Sequence, residues 1–296
     1  MILTVTMNPA IDTAYHLDRL AIDDVNRVAP KKTAGGKGLN VSRVLLQLGD
    51  DVLATGLLGG HMGAYMGDLM DADGIAHDFT PIAGETRVCI SILHEGNQTE
   101  LLESGPEVSA DELAAFLARF GELVVKADCD AGRGATASAA GVPVLLDTSG
   151  ASLDAALAAD AKPALVKPNL TEINDLLGTA FTPDDLPGLQ ETLSSDERFA
   201  GIPWVVVSMG AAGSVAFHEG RAYRATSTPI EAVNATGSGD STIAGFAHAV
   251  AAGMGPEDVL RYGNACGKLN AMDPRTGHLV MEQWDEVFND IQVVEL

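Results

Sequence analysis

A glycine-rich turn directly before an amphipathic helix, at residues 234–245, constrains this chain more than any other feature. Apolar residues follow from Ile243 to Ala251 at offsets of 0, 3, 4, 7 and 8, and Gly253 is the expected end of the helix. The turn Gly237-Ser238-Gly239 would leave backbone N–H groups unpaired at the positive end of the helix dipole. Such a turn suits a phosphate group or a developing oxyanion.

Asp240 follows this turn directly, although its carboxylate would repel a bound anion. Its presence is explained if it takes a proton from a hydroxyl group that attacks a bound phosphoryl group. The alternative is an ordinary glycine-rich loop in which Asp240 caps the helix. The local sequence favours neither interpretation over the other.

The composition allows a protein with a full core and limits its partners. The 296 residues are 46% apolar and 20% charged, which suits one large α/β domain or two smaller ones. Lys and Arg number 18 and Asp and Glu 41, so the formal charge is −23. Such a surface repels nucleic acid and anionic membranes, and neither is an expected partner. Any phosphate site must therefore be locally basic.

The cysteines and the N-terminus indicate a cytoplasmic protein. Cys89, Cys129 and Cys266 are scattered and odd in number, which is typical of a reduced setting. The first residues resemble a strand and a polar turn, not a signal peptide. The most apolar stretch, 202–217, is interrupted by polar, Gly and Pro residues and is too short to span a bilayer.

A second glycine-rich turn, at residues 33–40, precedes a helix whose apolar face ends at Gly49. It contains Lys37 but does not match the Walker A pattern. The alternative interpretation is a tight turn with a solvated lysine.

Strand and helix patterns alternate over most of the chain. Strands are expected at 2–6, 52–58, 123–125, 144–147, 164–167 and 204–207, and helices at 63–71, 111–120, 256–272 and 281–291. Residues 13–33 and a hairpin at 85–103 form a small accessory sheet. This order predicts a mostly parallel sheet covered on both faces, with the glycine-rich turns at its carboxyl edge.

Asn169 and Glu172 lie three residues apart at the start of a further helix. They could share a ligand or a hydrated cation. A capping box, with Asn169 as the cap and Glu172 reaching back, explains the pair equally well.

Four motifs, at residues 8–12, 34–40, 167–172 and 237–240, together resemble the PfkB branch of the ribokinase superfamily. Within it, the chain resembles the group of tagatose-6-phosphate kinases and 1-phosphofructokinases over nearly its whole length, and residues 87–100 favour the former. The resemblance implies a ribokinase-like three-layer α/β/α sandwich with a mostly parallel sheet. It further implies one kinase domain over 1–296, with a lid from about 13–33 and 86–103 that often forms dimer contacts.

The resemblance also implies a role for individual residues. Asp240 resembles the catalytic base, and its anion hole would be formed by Gly237, Ser238 and Gly239. The sugar hydroxyls would be held by Asp12, Gly36 and Asn40, and the substrate phosphate by Lys37, Arg87 and, as a weaker candidate, Arg27. Magnesium and water would be organised by Asn169 and Glu172, and the nucleotide would lie against Ser208, Gly210, Gly213 and Asn264.

Residues 126–140 depart from the family pattern. The group has a Ser-Gly-Ser-Leu-Pro-like turn and a helix here, whereas this chain lacks the turn and is shorter by roughly ten residues. Gly132, Gly134 and Thr136 are poor helix formers. We expect irregular structure in this segment and weaker binding of the substrate phosphate.

The sequence thus predicts an ATP- and Mg²⁺-dependent kinase whose partners are ATP and a sugar phosphate, most simply tagatose 6-phosphate, with a homodimer through the lid as an option. One alternative is a 1-phosphofructokinase, which converts fructose 1-phosphate to the 1,6-bisphosphate. A second alternative, suggested by residues 126–140, is a catalytically impaired protein that binds sugar phosphates.

Overall fold

The computed structural model describes residues 1–127, 129–131, 137 and 140–296. A parallel sheet has the strand order β5-β4-β1-β8. Its strands are β1 (Ile2–Thr6), β4 (Val52–Gly59), β5 (His77–Ile82) and β8 (Cys129–Ala131).

A six-stranded sheet has the order β14-β13-β12-β11-β10-β9. Its strands are β9 (Leu145–Leu146), β10 (Leu165–Val166), β11 (Trp204–Ser208), β12 (Ser214–His218), β13 (Arg221–Thr226) and β14 (Gln292–Glu295). Strands β9 to β11 are parallel, and β11 to β14 pair antiparallel. This sheet is therefore mixed.

A separate sheet, called the small sheet below, has the order β3-β2-β6-β7. Its strands are β2 (Ala10–Leu17), β3 (Lys31–Gly35), β6 (Arg87–His94) and β7 (Asn97–Leu102). Glu95 and Gly96, both with positive φ, close the β6–β7 hairpin, as a two-residue hairpin loop requires. The predicted accessory sheet thus exists, and its role as a lid stays a prediction.

Helices cover both faces of the main sheets. They are α1 (Lys37–Leu48), α2 (Gly60–Ala72), α3 (Ala110–Val124), α4 (Gly150–Ala158), α5 (Leu170–Leu177), α6 (Leu186–Ser195), α7 (Ser238–Ala251), α8 (Pro256–Ala271) and α9 (Trp284–Asp290). None of these helices is long and apolar enough to cross a membrane.

Strand β11 shows why helices must cover both faces of the mixed sheet. Trp204 and Val206 enter the core beneath α1, α7 and α8, whereas Val205 and Val207 enter the core beneath α4, α5 and α6. Successive side chains of a strand point to opposite faces, so an uninterrupted apolar run requires apolar partners on both. The resulting α/β/α layering confirms the predicted fold class.

One sequence prediction about secondary structure was wrong. Residues 123–125 are not the start of a strand, because α3 continues to Val124 and buries Phe116, Phe120 and Leu123 along one face. The predicted helix at 281–291 exists as a 3₁₀ turn at Met281–Gln283 followed by α9, and after Asp290 the chain adds β14 to the edge of the mixed sheet.

The irregular structure expected at 126–140 falls mostly on residues outside those described. Within the segment, the backbone of Cys129–Ala131 pairs in parallel with β1.

Candidate active site

The first turn of α7 holds Asp240 in a buried position. Gly237, with φ of 80°, is the N-terminal cap, and the helix starts at Ser238. Asp240 therefore lies inside the helix, so the alternative in which it caps the helix is wrong. Its carboxylate instead accepts a hydrogen bond from Asn40, with 2.8 Å between Nδ2 and Oδ2.

The predicted anion hole lies at the same turn. The Ser238 amide donates to the carbonyl of Ala235 at 3.2 Å. In the described part of the chain, the amides of Gly237 and Gly239 make no hydrogen bond. Two of the three predicted amides are thus free to donate to an anion at the positive end of the helix dipole.

Two charged residues that the sequence analysis missed lie beside this turn. Asp147 follows β9, and Lys167 follows β10, which is the neighbouring parallel strand. Asp147 contacts the ammonium groups of Lys167 at 3.2 Å and of Lys37 at 3.8 Å. Lys167 is buried, and its Nζ lies 3.4 Å from the position that a Cβ on Gly239 would occupy. Their positions at the ends of adjacent strands could have indicated both residues.

Burial raises the pKa of Asp240 to about 6. The hydrogen bond from Asn40 lowers this pKa, the charge of Asp147 raises it, and the charges of Lys37 and Lys167 lower it. A carboxylate that remains ionised near neutral pH but binds a proton more readily than usual is suited to act as a general base.

An open cavity of about 760 Å³ connects Asp240 with the substrate-phosphate candidates. Its polar lining includes Asn8, Lys37, Arg87, Asp147, Thr148 and Asp240. A second part of its wall is apolar and comes from α3, α4 and the segment after α4, including Phe116, Phe120, Ala155 and Pro163. The structure thus brings Lys37, Arg87 and Asp240 to one cavity, as the sequence predicts.

Asp12 lies on β2 close to the glycine-rich turn before α1. A Cβ on Gly35 would lie 2.2 Å from its carboxylate oxygen, so any side chain at position 35 would require the Asp12 side chain to move. Burial raises the pKa of Asp12 to about 6, while the charges of Arg43 and Arg87 lower it. Asp12 and Asp240 are the two carboxyl groups of the predicted site whose pKa values are clearly raised.

The turn before α1 also depends on glycine where it meets β1. A Cβ on Gly38 would lie 2.6 Å from the carbonyl oxygen of Val5. The missing side chain lets the start of α1 lie directly on the end of β1. This contact positions Gly36, Lys37 and Asn40 at the carboxyl edge of the parallel sheet.

The two arginine candidates differ in position. Arg87, at the start of β6, donates to the carbonyls of Glu103 and Asn8, and its Nε is buried without a hydrogen-bond partner among the described residues. Arg27 is exposed on the segment between β2 and β3 and does not line the cavity. The structure therefore supports Arg87 at the site and leaves Arg27 outside it.

The predicted nucleotide residues form a separate group along the edge of the mixed sheet. Ser208 pairs with Asn169 in an isolated bridge, and Gly210 and Gly213 form the turn between β11 and β12. The side-chain Nδ2 of Asn264 donates to Ser214 Oγ at 2.8 Å. Ser208, Gly210 and Gly213 are close in sequence, and Asn264 bonds to the residue that follows Gly213. These predicted nucleotide residues do not line the cavity that contains Asp240.

Asn169 and Glu172 form the capping box that the sequence allowed. The backbone amide of Asn169 donates to Glu172 Oε2 at 2.8 Å, and the backbone amide of Glu172 donates to Asn169 Oδ1 at 2.9 Å. Among the described residues there is no group of three or more His, Cys, Asp or Glu that could hold a metal ion by itself. The pair thus caps α5, and its predicted role toward Mg²⁺ stays a prediction.

Comparisons with known proteins identify the family and the shared fold. A sequence model of the family described as pfkB family carbohydrate kinase matches residues 5–283. A provisionally assigned phosphofructokinase from Staphylococcus aureus has a TM-score of 0.84 and 26% identity, with 100% of this chain and 99% of that chain covered. A provisionally assigned 1-phosphofructokinase from Thermotoga maritima has a TM-score of 0.86 and 24% identity, with 100% and 99% covered.

Phosphofructokinase-2 from Escherichia coli in complex with fructose-6-phosphate has a TM-score of 0.82 and 24% identity, with 97% of this chain and 98% of that chain covered. The fold is thus shared over the full length of these proteins. The family match confirms the resemblance inferred from the four motifs and the predicted class of enzyme. The chain belongs to the pfkB family of carbohydrate kinases.

Proposed function

We propose that this kinase transfers the γ-phosphoryl group of ATP to a hydroxyl group of a ketohexose phosphate, most simply tagatose 6-phosphate. The observation that carries the proposal is the position of Asp240. Its buried carboxylate lies at the N-terminus of α7, with Lys37 and Lys167 nearby and a pKa of about 6. A base beside an anion-binding helix start is suited to phosphoryl transfer to an alcohol.

In this proposal Asp240 accepts the proton of the attacking hydroxyl group. The hydroxyl oxygen bonds to the γ-phosphorus, the bond from that phosphorus to the bridging oxygen breaks, and ADP leaves with the electron pair. The amides of Gly237 and Gly239 stabilise the charge that develops on the phosphoryl oxygens. Lys167 and Lys37 add positive charge at the same place, and Asp147 holds both ammonium groups near the turn.

A phosphate on the substrate is supported by the cations that line the cavity. Lys37 and Arg87 both line it, in a protein with a formal charge of −23. A sugar phosphate would be repelled by most of such a surface, so local positive charge is required for its binding. Asp12 is proposed to accept hydrogen bonds from the sugar hydroxyls, and Asn40 is proposed to donate hydrogen bonds to them.

The donor set of the capping box fits a magnesium ion that arrives with the nucleotide. Mg²⁺ is usually held by one or two carboxylates, water and substrate phosphates. Glu172 is half-buried at a helix start and supplies one such carboxylate, with Asn169 beside it. When bound, the ion would neutralise phosphate charge, and these two residues would hold it through water.

A cytoplasmic location is part of the same proposal.

A fructose phosphate is the second candidate substrate, favoured by the phosphofructokinases among the similar structures. A panel of tagatose 6-phosphate, fructose 1-phosphate, fructose 6-phosphate and the unphosphorylated sugars, assayed by ADP release, separates the candidates. Phosphorus NMR of the product gives the position of the new phosphate. Absence of turnover with every sugar phosphate at saturating ATP would favour a binding protein without kinase activity.

Replacement of Asp240 by Asn tests the assigned base. The variant keeps the shape of the side chain and its hydrogen bond from Asn40 but cannot accept the proton. General-base catalysis contributes about 10²–10⁴-fold, so kcat should fall by at least about a hundredfold with little change in KM. A variant with near-normal kcat would exclude Asp240 as the base.

A further inference from the structure

Arg43, on α1, lies behind the candidate site, and no motif singled it out. Its side chain is 15% exposed, and its Nε donates to Asp73 Oδ2 at 2.8 Å. One terminal nitrogen donates to the carbonyl of Ala34, and the other donates to Asn40 Oδ1 at 3.0 Å. The guanidinium group is therefore held from three sides.

The contact with Arg43 determines which way the amide of Asn40 faces. A guanidinium group only donates hydrogen bonds, so Asn40 must turn its oxygen toward Arg43. Its NH₂ group then faces Asp240 and donates to Oδ2 at 2.8 Å. With the amide reversed, an oxygen would face the carboxylate, and the two groups would repel each other.

Arg43 also acts on the second carboxyl group of the site. Its charge lowers the pKa of Asp12, as does that of Arg87, whereas burial and the charge of Glu100 raise it. One half-buried cation thus acts on both carboxylates of the proposed site, through Asn40 on Asp240 and through its charge on Asp12.

We propose that Arg43 is a positioning residue of this kinase, which fixes the amide of Asn40 so that it donates to Asp240 and supplies positive charge to Asp12. The proposal rests on the proposed roles of Asp240 and Asp12. Arg43 itself does not line the cavity and is not expected to contact either substrate.

The charged surroundings determine what loss of Arg43 should do. Asp240 is also faced by Lys37 on α1, by Asp147 after β9 and by Lys167 after β10. These groups remain in an Arg43→Gln variant, so the change at Asp240 is limited to the loss of an oriented hydrogen bond. That bond lowers the pKa of Asp240, and its loss should raise the pKa by at least about half a unit.

The pH dependence of kcat for Arg43→Gln, Arg43→Lys and wild-type enzyme tests the proposal. The acid limb of kcat, which reports groups in the substrate complex, should move to higher pH in Arg43→Gln. For a shift of half a unit from about 6, kcat should fall by roughly two- to threefold near pH 6 and hardly at all at pH 8. Arg43→Lys keeps the charge near Asp12 but not the forked donor, so its KM for the sugar should stay near the wild-type value while kcat and kcat/KM fall together.

A direct titration separates this proposal from the proposed function. Aspartate labelled with ¹³C at the carboxyl carbon, with the signal assigned by its loss in Asp240→Asn, reports the pKa of Asp240 without any turnover. Arg43→Gln should raise that pKa in wild-type background and change it little in an Asn40→Ala background. If Asp240→Asn retained its activity but this coupling were present, the proposed base would be wrong and the role of Arg43 in orienting Asn40 would stand.

Arg198→Gln is the matched control. Arg198 is also partly buried and ion-paired, with Asp196, but it lies on the turn before β11. It should leave both the acid limb of kcat and the titration of Asp240 unchanged. An Arg43→Gln enzyme that is folded and gives the wild-type pKa for Asp240 would overturn the proposal. If Arg43→Gln does not fold, the same result for Arg43→Met, whose side chain cannot donate a hydrogen bond to Asn40, would overturn it.

Discussion

Asp240 combines burial with a proposed role as the catalytic base. Its pKa rises from 3.8 to about 6 chiefly because its carboxylate is removed from water, and the hydrogen bond from Asn40 and two lysines offset only part of this cost. A group with such a pKa is ionised near neutral pH but destabilises the folded chain there. The proposed catalytic role of this residue and the stability of the folded chain are therefore opposed.

The pH dependence of stability should reveal this cost. Between pH 3.8 and about 6 the folded chain holds the Asp240 proton more tightly than the unfolded chain, so the free energy of unfolding falls as pH rises through this range. Asp240→Asn does not ionise. The free energy of unfolding of this variant should exceed that of wild type by up to about 3 kcal/mol at pH 8, and this difference should nearly vanish at pH 4. Urea unfolding at both pH values measures this, and an equal difference at the two pH values would contradict the shifted pKa.

Lys37 and Arg87 should act on phosphorylated sugars. Each hydrogen bond to a charged group contributes about 1.5–3 kcal/mol, so alanine at either position should raise KM for a sugar phosphate roughly ten- to a hundredfold. The KM for an unphosphorylated sugar should change far less. Arg27→Ala, at an exposed position outside the cavity, is the control and should change neither value. A wild-type enzyme that prefers unphosphorylated sugars would show that the cations do not form a phosphate site.

At the scale of the element, the start of α7 depends on a residue of α8. Asn270 is fully buried, and its Nδ2 donates to the carbonyl of Thr236 at 3.0 Å and to Ser238 Oγ at 3.2 Å. Its Oδ1 accepts from the amide of Gly277 at 2.8 Å. One side chain thus ties the glycine-rich turn to the loop after α8, which packs against Asn40.

Asn270→Ala should therefore reduce both stability and kcat. The loss leaves buried groups without partners, at about 1–3 kcal/mol, and frees the turn that bears the proposed anion hole. We expect kcat to fall roughly tenfold. Asn174→Ala is the matched control, because Asn174 also bonds a nearby loop, through the carbonyl and amide of Phe181, but lies on α5. A similar loss of stability in both variants with unchanged kcat in Asn270→Ala would show that Asn270 has only a structural role.

At the scale of the whole molecule, the small sheet has an open edge. Every residue of β7 is exposed, and Leu101 and Leu102 are 56% and 62% exposed. Exposed apolar side chains on an edge strand favour pairing with another chain. These features support the proposal that a second copy of this chain covers the sheet.

A charge on β7 should prevent this assembly. We expect wild-type protein to have twice the 30.7 kDa mass of the chain, and Leu102→Glu to have the mass of a monomer, by light scattering after gel filtration. Val294→Glu introduces the same change at a similarly exposed position on β14 and should remain dimeric. A monomeric wild-type protein, or dissociation of both variants, would exclude the small sheet as the specific interface.

Local patterns in the sequence determined much of this protein. The starts of α1, α5 and α7 were predicted because glycine turns, caps and apolar spacing depend on neighbouring residues. The same patterns placed Asp240, Lys37 and Asn169 at helix starts. For Asn169 and Glu172 two interpretations remained equal, and the structure shows the capping box.

Only the tertiary structure decided which of these residues meet. The contact between Asn40 and Asp240 spans 200 residues, and Asp147 meets Lys167 because β9 and β10 are neighbours in the sheet. Likewise, the apolar run at 123–125 predicted a strand, but packing of α3 against the sheet makes residues 123 and 124 the end of a helix. Short-range hydrogen bonds and the spacing of apolar side chains depend only on residues close together in the sequence. Strand order and the burial that raises the pKa of Asp240 depend on the whole folded chain.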